Sequence, residues 1–302
     1  MTISVIMPVY NTKESDLRTA IESILNQTYR DFEFLIINDA STNNAEDVIL
    51  SYKDERIRYL KNEKNLKIIG TSNRLIDEAK YEYLARLDSD DWCTPDRLEK
   101  QVAYLDEHPD VGVLGSYYKI MPDDRWFPIP TEPDDTTLFV RYCGNCISNS
   151  AVMMRKSIID KYHISYNTSA LHAEDLKFWS DMSEHCKFAN YPEILSFYRI
   201  SPDGVSSQNR AYQLKMVLTI LMDNIIKDFA NDKDYMYSIL IKFIKGEPVT
   251  DEEFTYTQQF LIGIVNILQK HMSYPINTLV KSYVLSRLAY FVREPKPENQ
   301  PK

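Results

Sequence analysis

The sequence predicts an α/β fold, in which a mixed, mostly parallel sheet carries helices on both faces and is followed by a helical C-terminal region. Two observations support this prediction. Apolar runs alternate with helical periodicity from the N-terminus onward, and the runs are continuous, which is typical of strands buried on both faces. Beyond Ser207 the pattern changes to long helical stretches, so we divide the chain into residues 1–205 and 206–302.

The predicted elements follow the hydrophobic pattern. Strands are expected at residues 3–7, 32–37, 57–60, 83–87, 111–120, 151–154, 188–189 and 194–200. Helices are expected at 14–27, 45–52, 71–79, 94–108, 157–161, from 174 onward, and at 211–229, 235–244, 252–271 and 276–292. Residues 121–135 read as a loop, and 138–149 fit no single pattern.

Composition limits the possible functions. The chain has 302 residues, of which 44% are hydrophobic, and a net charge of -9, which argues for a globular core and against nonspecific nucleic-acid binding. Residues 270–302 contain six basic and two acidic residues. This excess fits peripheral contact with an anionic membrane surface, or a solvated helix face, which we favour.

Cysteine usage fits a reducing cytoplasm. Four cysteines are scattered without a disulfide framework or a secretory signal. Cys143 and Cys146 have redox or zinc spacing, but no second ligand pair lies nearby in sequence. The longest apolar run, residues 260–268, is too short to span a bilayer.

Glycine usage bears on nucleotide binding. Only seven glycines occur, and the first is Gly70, so the first strand and helix enclose no glycine-rich phosphate loop. This excludes a sugar-1-phosphate nucleotidyltransferase, which would want such a loop. If the protein binds a nucleotide, another group must neutralise the phosphates.

Acidic residues follow the strands of the predicted sheet. One apolar strand ends in Asp88, Asp90 and Asp91, and another ends beside Asp39. Carboxylates at the end of a buried strand are costly unless a positive group lies there, and a divalent cation bridging a phosphate is the obvious candidate. Since ligands bind at the carboxyl ends of parallel strands, these acids and residues 8–11 are expected in one cleft.

Five motifs, in this order, resemble those of family 2 inverting glycosyltransferases with the GT-A (Rossmann-like) fold. They are residues 4–11, 26–29, 38–42, 85–91 and 174–175, so the resemblance covers about residues 1–205. Further motifs between Asn145 and Ser207 resemble bacterial lipooligosaccharide β-1,3-N-acetylhexosaminyltransferases, which extend a terminal galactose on a surface glycan.

The resemblance implies a donor site. Pro8 and Tyr10 would line the uridine site largely through backbone, and Asp39 would accept hydrogen bonds from the uracil. Asp88 would lie near the ribose, and Arg86 would support the diphosphate region.

The resemblance also implies the chemistry. Asp90 would bind Mn²⁺ or Mg²⁺ on the diphosphate, and Asp175 would be the general base that takes the proton of the acceptor hydroxyl. A nucleoside diphosphate is already an acidic leaving group, so a metal can stabilise it without a general acid. The hydroxyl nucleophile is weak and needs one carboxylate as a base.

Several of these residues also have structural interpretations. Asp39 could cap the following helix, and Asp91 could be only the solvent-facing member of the acidic cluster. Glu174, in the first turn of a helix, is expected to support or cap rather than act as the base. Arg199 could contact the diphosphate or brace an acid within the fold.

Three further residues are candidates for contact with the acceptor or for its support. They are Asn149, His172 and Trp179. Trp179 is more often core than a sugar platform, and His172 is expected to be a loop residue rather than a metal ligand.

The sequence departs from the family pattern at four positions. Asn38 stands where Asp is usual, and Ala40 and Lys67 stand where Gly is common. Ser201 stands where many relatives have His, so Ser206 or Ser207 could take over a diphosphate contact.

The implied function is transfer of a sugar from a UDP-sugar, with UDP-GlcNAc or UDP-GalNAc favoured, to a terminal galactose in a β-1,3 linkage. The acceptor would be an oligosaccharide or glycolipid that belongs to a lipooligosaccharide, O-antigen or capsule. Galactosyl or glucosyl transfer to another glycan is the alternative, and a non-catalytic sugar-nucleotide-binding protein is a third interpretation. A processive synthase is excluded, because neither transmembrane helices nor a Gln-x-x-Arg-Trp motif is present.

Overall fold

The computed structural model describes residues 2–200 and 210–273. Within these ranges one sheet consists of β1 Ile3–Val9, β2 Phe32–Asn38, β3 Ile57–Lys61, β4 Tyr83–Arg86, β5 Trp92–Cys93, β6 Val111–Met121, β7 Met153–Arg155 and β8 Lys187–Arg199. The strands lie in the order β3, β2, β1, β4, β7, β6, β8, β5. β1 to β4 are parallel, as are β6 and β8, whereas β5 and β7 run antiparallel to their neighbours. The prediction of a mixed, mostly parallel sheet is confirmed.

Helices cover both faces of this sheet. They are α1 Glu14–Leu25, α2 Ala45–Ser51, α3 Lys67–Glu78, α4 Arg97–Glu107, α5 Pro133–Tyr142, α6 Lys156–Tyr162, α7 Glu174–Met182, α8 Arg210–Phe229, α9 Lys233–Lys245 and α10 Asp251–His271. Short 3₁₀ turns occur at Asn149–Ala151 and Thr168–Ala170.

The continuous apolar strands have the burial that their pattern predicts. All seven residues of β1 are buried. Because side chains alternate along a strand, Val5 and Met7 pack with α1 and α4 on one face, while Ile6 packs with α3 and α7 on the other. The sheet is therefore the middle layer of three.

The C-terminal helices pack on the sheet domain. Apolar residues of α8, α9 and α10 form a separate cluster that includes Tyr142 of α5. Asn224 of α8 accepts a hydrogen bond from Ser180 of α7 (2.9 Å) and donates to the carbonyl of Arg141 (2.9 Å). The division between residues 205 and 206 stays a prediction, since it and the helix expected at 276–292 fall outside the described ranges. Nowhere in those ranges is a helix both long and apolar enough to cross a bilayer.

Two helices differ from the prediction: α3 begins earlier than expected, and α5 was not predicted as a helix. α3 starts at Lys67 rather than at 71. The hydrophobic pattern does not show this earlier start, because Leu66 and Ile68 are exposed and do not follow the apolar period. α5 starts at Pro133, inside the predicted loop. Its proline fits a first helical turn and Asp134 and Asp135 suit the N-terminal dipole, so this composition marks a helix start as well as a loop.

The two strands predicted at 188–189 and 194–200 are one strand, β8. An irregularity accommodates Pro192, because Tyr191 pairs with Ser116 while Ile194 pairs with Tyr117. Proline cannot donate to a sheet ladder, and the two extra residues on β8 bulge out at this point. The two-residue strand β5, which was not predicted, pairs with the far end of β8.

Candidate active site

The parallel strands β1, β2 and β4 end at the same edge of the sheet. The backbone N–H of Asp39, just after β2, donates to the carbonyl of Val9 at the end of β1 (2.8 Å). Asn11 accepts a hydrogen bond from the backbone of Thr42 (2.7 Å) and donates its own N–H to Ser41 (3.0 Å). The strand ends that carry Pro8–Asn11 and Asp39 therefore meet, as the sequence predicts.

Asp39 lies buried at this edge, with 3% of its surface exposed. Its Oδ1 accepts hydrogen bonds from the side chain of Asn62 (2.6 Å) and from the backbone of Leu66 (2.7 Å). The N-cap residue of α2 is Asn44, and the donors to Asp39 lie outside that helix, so the interpretation of Asp39 as its cap is wrong. The two donors fix the carboxylate, and Oδ2 has no donor among the described residues.

Pro8 and Tyr10 flank the end of β1. Pro8 is buried within the strand, so any contact with a ligand would pass through its backbone. Tyr10 is 49% exposed, so its ring is accessible to a ligand at the end of β1.

Arg86 lies beneath the acids rather than among them. It is 1% exposed, and its Nε and Nη2 both donate to Oδ1 of Asp88 (3.1 and 3.0 Å). Its Nη1 donates to Ser72 (2.9 Å) and to the hydroxyl of Tyr166 (3.3 Å). A side chain this buried is not placed to contact a diphosphate directly; Arg86 instead fixes Asp88, whose side chain is 30% exposed.

Asp91 is not the solvent-facing acid, and that interpretation is wrong. It is 1% exposed; its Oδ1 accepts the backbone N–H of Arg199 (2.7 Å) and its Oδ2 accepts the hydroxyl of Ser150. Burial, with the neighbouring charges of Asp90 and Asp88, raises the pKa of Asp91 well above its usual range. Asp91 therefore anchors the loop from Asp88 to Asp91, the acidic loop, through buried contacts.

Asp90 is the acid whose environment suits a cation. Burial and the adjacent Asp88 carboxylate raise its pKa to about 6, although Arg199 counteracts this. Across the described residues, no three His, Cys, Asp or Glu side chains are grouped closely enough to hold a metal ion alone. A hard divalent cation commonly takes one or two carboxylates and completes its shell with phosphate oxygens and water, so Asp90 with Asp88 fits such an ion.

Asp175 lies in the first turn of α7. Its Oδ1 accepts the backbone N–H of Leu176 (2.7 Å), and its Oδ2 accepts Nδ2 of Asn145 (2.9 Å). Partial burial and the adjacent Glu174 raise its pKa to about 6, while the Leu176 hydrogen bond and Arg86 oppose that rise. A carboxylate with this pKa is ionised at neutral pH but can take up a proton.

The remaining candidates lie in different environments. Trp179 is completely buried beside Phe178 and Phe188, and so belongs to the core rather than to a sugar-stacking surface. Glu174 Oε2 and Asn149 Oδ1 are buried, with no donor among the described residues.

His172 lies in the loop before α7, and Arg199 is the last residue of β8. His172 has a left-handed backbone (φ 67°) and meets Tyr212 edge-on, with ring centroids 5.8 Å apart. Arg199 donates to the carbonyl of Asp90 (2.9 Å) and lies over Trp92, which gives it a bracing position. Ser201, Ser206 and Ser207 fall outside the described ranges.

Residues 4–163, just over half of the chain, match the family model described as Glycosyl transferase family 2. The chain belongs to this family. It is 32% identical, over 74% of its length, to an uncharacterized glycosyltransferase of Haemophilus influenzae, of which it covers 73%. It is 27% identical to the Escherichia coli UDP-Glc:alpha-D-GlcNAc-diphosphoundecaprenol beta-1,3-glucosyltransferase WfgD, over 73% of this chain and 85% of that protein.

Solved structures confirm the GT-A glycosyltransferase fold. Staphylococcus aureus TarS 1-349 in complex with UDP-GlcNAc resembles the chain with a TM-score of 0.63 at 18% identity, over 97% of this chain and 90% of that one. The mannosyltransferase PcManGT from Pyrobaculum calidifontis, in complex with GDP-Man and Mn²⁺, gives 0.57 at 13% identity, over 97% and 81%. The narrower resemblance to N-acetylhexosaminyltransferases stays a prediction.

The sequence alone does not identify two residues, Arg97 and Ser150, that hold this site together. Arg97 of α4 is completely buried and donates to the carbonyls of Arg86 (2.8 Å), Ser150 (2.9 Å) and Val152 (2.9 Å). Ser150 also accepts the backbone N–H of Asp88 (3.2 Å). Neither residue belongs to a recognised motif, and no pattern in the sequence pointed to them.

Proposed function

We propose that this family 2 glycosyltransferase transfers a sugar, with inversion, from a UDP-sugar to a hydroxyl of a terminal sugar on a surface glycan. The observation that carries the proposal is the pairing of two acid sites around one buried guanidinium. Arg86 donates a hydrogen bond to Asp88 and its positive charge lowers the pKa of Asp175, so both acids lie close to this guanidinium. One acid belongs to the acidic loop, and the other has the pKa of a general base.

Asp175 acts as the base in this proposal. Its carboxylate takes the proton of the acceptor hydroxyl while that oxygen attacks the anomeric carbon. The bond from the anomeric carbon to the diphosphate oxygen breaks with inversion, and UDP leaves with the bonding electrons. A divalent cation at Asp90, Mn²⁺ or Mg²⁺, would supply Lewis-acid stabilisation of the leaving diphosphate.

The donor side follows from the β1 and β2 ends. Asp39 would receive the uracil N–H on Oδ2, because Asn62 and Leu66 already occupy Oδ1. Tyr10 and the backbone of Pro8 would flank the uridine. TarS in complex with UDP-GlcNAc supports a UDP-sugar, and we favour UDP-GlcNAc or UDP-GalNAc.

The acceptor side contains unsatisfied acceptor atoms. The buried oxygens of Glu174 and Asn149 without donors suit the hydroxyls of a sugar, since an unpaired buried acceptor costs about 1–3 kcal/mol. We propose that both contact the acceptor, with His172 beside them, that the acceptor is a terminal galactose, and that the transferred sugar is joined to it in a β-1,3 linkage.

A second candidate is glucosyl transfer to a lipid-linked acceptor. It is favoured by WfgD, whose name specifies a UDP-Glc donor, a GlcNAc-diphosphoundecaprenol acceptor and a β-1,3 linkage. Such an acceptor would hold the enzyme at the cytoplasmic face of the membrane, in keeping with the basic residues from 270 onward.

A donor screen tests the function. UDP-GlcNAc, UDP-GalNAc, UDP-Gal and UDP-Glc are offered with Mn²⁺ or with EDTA, against lactose-terminated and GlcNAc-diphosphoprenol acceptors. Transfer of an N-acetylhexosamine to lactose supports the first candidate, and glucosylation of the lipid supports the second. Turnover that is unchanged by EDTA would remove the metal from the proposal, and UDP binding without any transfer would leave the non-catalytic interpretation.

Asp175→Asn tests the base. We expect turnover to fall by about 10²–10⁴-fold with UDP binding retained, because general-base catalysis is lost while the donor side is untouched. Asp181→Asn is the matched control, since Asp181 lies on the same helix and pairs with Lys177. Undiminished turnover in Asp175→Asn would overturn the assignment.

A further inference from the structure

We infer that Asn145 is a positioning residue that holds the Asp175 carboxylate in the orientation needed to receive the acceptor proton, an inference that rests on the proposed role of Asp175. Asn145 donates Nδ2–H to Oδ2 of Asp175 at 2.9 Å. The other oxygen, Oδ1, is held at 2.7 Å by the backbone of Leu176. With one donor on each oxygen, the carboxylate plane is fixed and each oxygen keeps a lone pair for the acceptor.

The amide of Asn145 is itself fixed. Its Oδ1 accepts the backbone N–H of Ile147 at 2.9 Å, which turns the NH₂ group toward Asp175. Beyond Asn145 the chain is anchored by Cys146 and Ile147, which are 4% and 2% exposed. Asn145 is therefore an exposed residue whose side chain is oriented by a buried segment.

The turn that presents Asn145 depends on the preceding glycine. Gly144 has φ 144°, which L side chains rarely adopt, and its N–H donates to the carbonyl of Phe139 in α5 (3.0 Å). The backbone thus leaves α5 in a direction that brings residue 145 to the first turn of α7. The hydrogen bond from Asn145 to Asp175 therefore joins two segments that are 30 residues apart in sequence.

The charges around Asp175 give the contact a measurable effect. Glu174 on the same helix raises the pKa of Asp175, and Arg86 of β4 lowers it. Tyr166 lies close to it in the segment before α7; burial raises the pKa of Tyr166 to about 12, Arg86 opposes that rise, and the charge of Asp175 adds to it. Asn145 donates to the ionised form of the carboxylate, so its removal should raise the pKa of the base.

Two substitutions separate positioning from a merely structural role. Asn145→Ala should lower kcat by roughly 10- to 100-fold with little change in the KM for the donor, because the base is misplaced. It should also move the acid limb of the kcat/KM profile upward by about 0.5–1 pH unit. The nearly isosteric Asn145→Asp places a second carboxylate against Asp175, so the acid limb should rise by about 1 pH unit or more.

Asn231→Asp makes the same charge change at an exposed residue between α8 and α9, and its pH profile should match the wild type. In an Asp175→Asn background, Asn145→Ala should cause no further loss, since it acts through Asp175. An acid limb that stays in place in both Asn145 variants, with Asp175→Asn inactive, overturns the inference alone. Full turnover in Asp175→Asn would instead overturn the proposed function.

Discussion

The partly buried carboxyl of Asp175, the proposed base, should cost the protein stability, and Asp175→Asn measures this cost. The pKa of Asp175 rises to about 6 from an ordinary value of about 3.9. A rise of about two pH units corresponds to about 3 kcal/mol of penalty for the ionised form. The substitution removes this penalty but loses the hydrogen bond from Asn145, worth about 1 kcal/mol. We expect a net gain of about 1–2 kcal/mol at pH 8.

The gain depends on pH in a defined direction. Because the folded-state pKa is raised, the contribution of the wild-type carboxyl to stability is complete below pH 3.9 and is lost as the pH rises through about 6. The advantage of Asp175→Asn should therefore shrink by about 1.4 kcal/mol between pH 8 and pH 5.

Urea unfolding of wild type, Asp175→Asn and Asp181→Asn at pH 5, 6.5 and 8 measures the effect. The Asp181 variant should show no stability gain, because its carboxylate pairs with Lys177 at the surface. A stability difference for Asp175→Asn that does not vary with pH, or a wild type that is the more stable at pH 8, would refute the reasoning.

Two further predictions concern the support of the site. Arg86→Met should lower the free energy of unfolding by about 2–4 kcal/mol in urea titrations and weaken UDP binding, because Asp88 loses its buried partner. A loss of stability below about 0.5 kcal/mol would contradict this prediction. Ala40→Gly and Lys67→Gly should each stabilise by about 0.5–1 kcal/mol, because both residues have left-handed backbones (φ 57° and 63°). The control Ala103→Gly in the middle of α4 should lower the free energy of unfolding by about 1 kcal/mol. A similar loss of stability in Ala40→Gly or Lys67→Gly would show that the backbone at that residue is not strained.

The strand-end acids were predictable because they depend on local pattern and sheet direction alone. Continuous apolar runs identified β1, β2 and β4, and parallel strands bring their carboxyl ends to one edge. The same reasoning places Asp39 after β2 and Asp88 after β4, where the structure has them, but it does not predict the residues that surround them. Ala40 and Lys67 stand where glycine is common in the family, and both have the positive φ that glycine tolerates best.

The roles of individual acids were less predictable, because they depend on contacts distant in sequence. Asp91 is buried only because Ser150 and Arg199, 59 and 108 residues further along, supply its donors. The amide that holds Asp175 comes from a turn after α5, a segment whose pattern was ambiguous. Local periodicity contains no information on such partners.

Arg97 gives the acidic loop a particular kind of cooperativity. One guanidinium from α4 joins the end of β4 to the segment that leads into β7, through three backbone carbonyls and no carboxylate among the described residues. The loop from Asp88 to Asp91 lies between the segments that this side chain joins. The loop therefore opens only when the α4 contact is lost, and we expect its backbone amides to exchange with solvent as part of a larger cooperative unit.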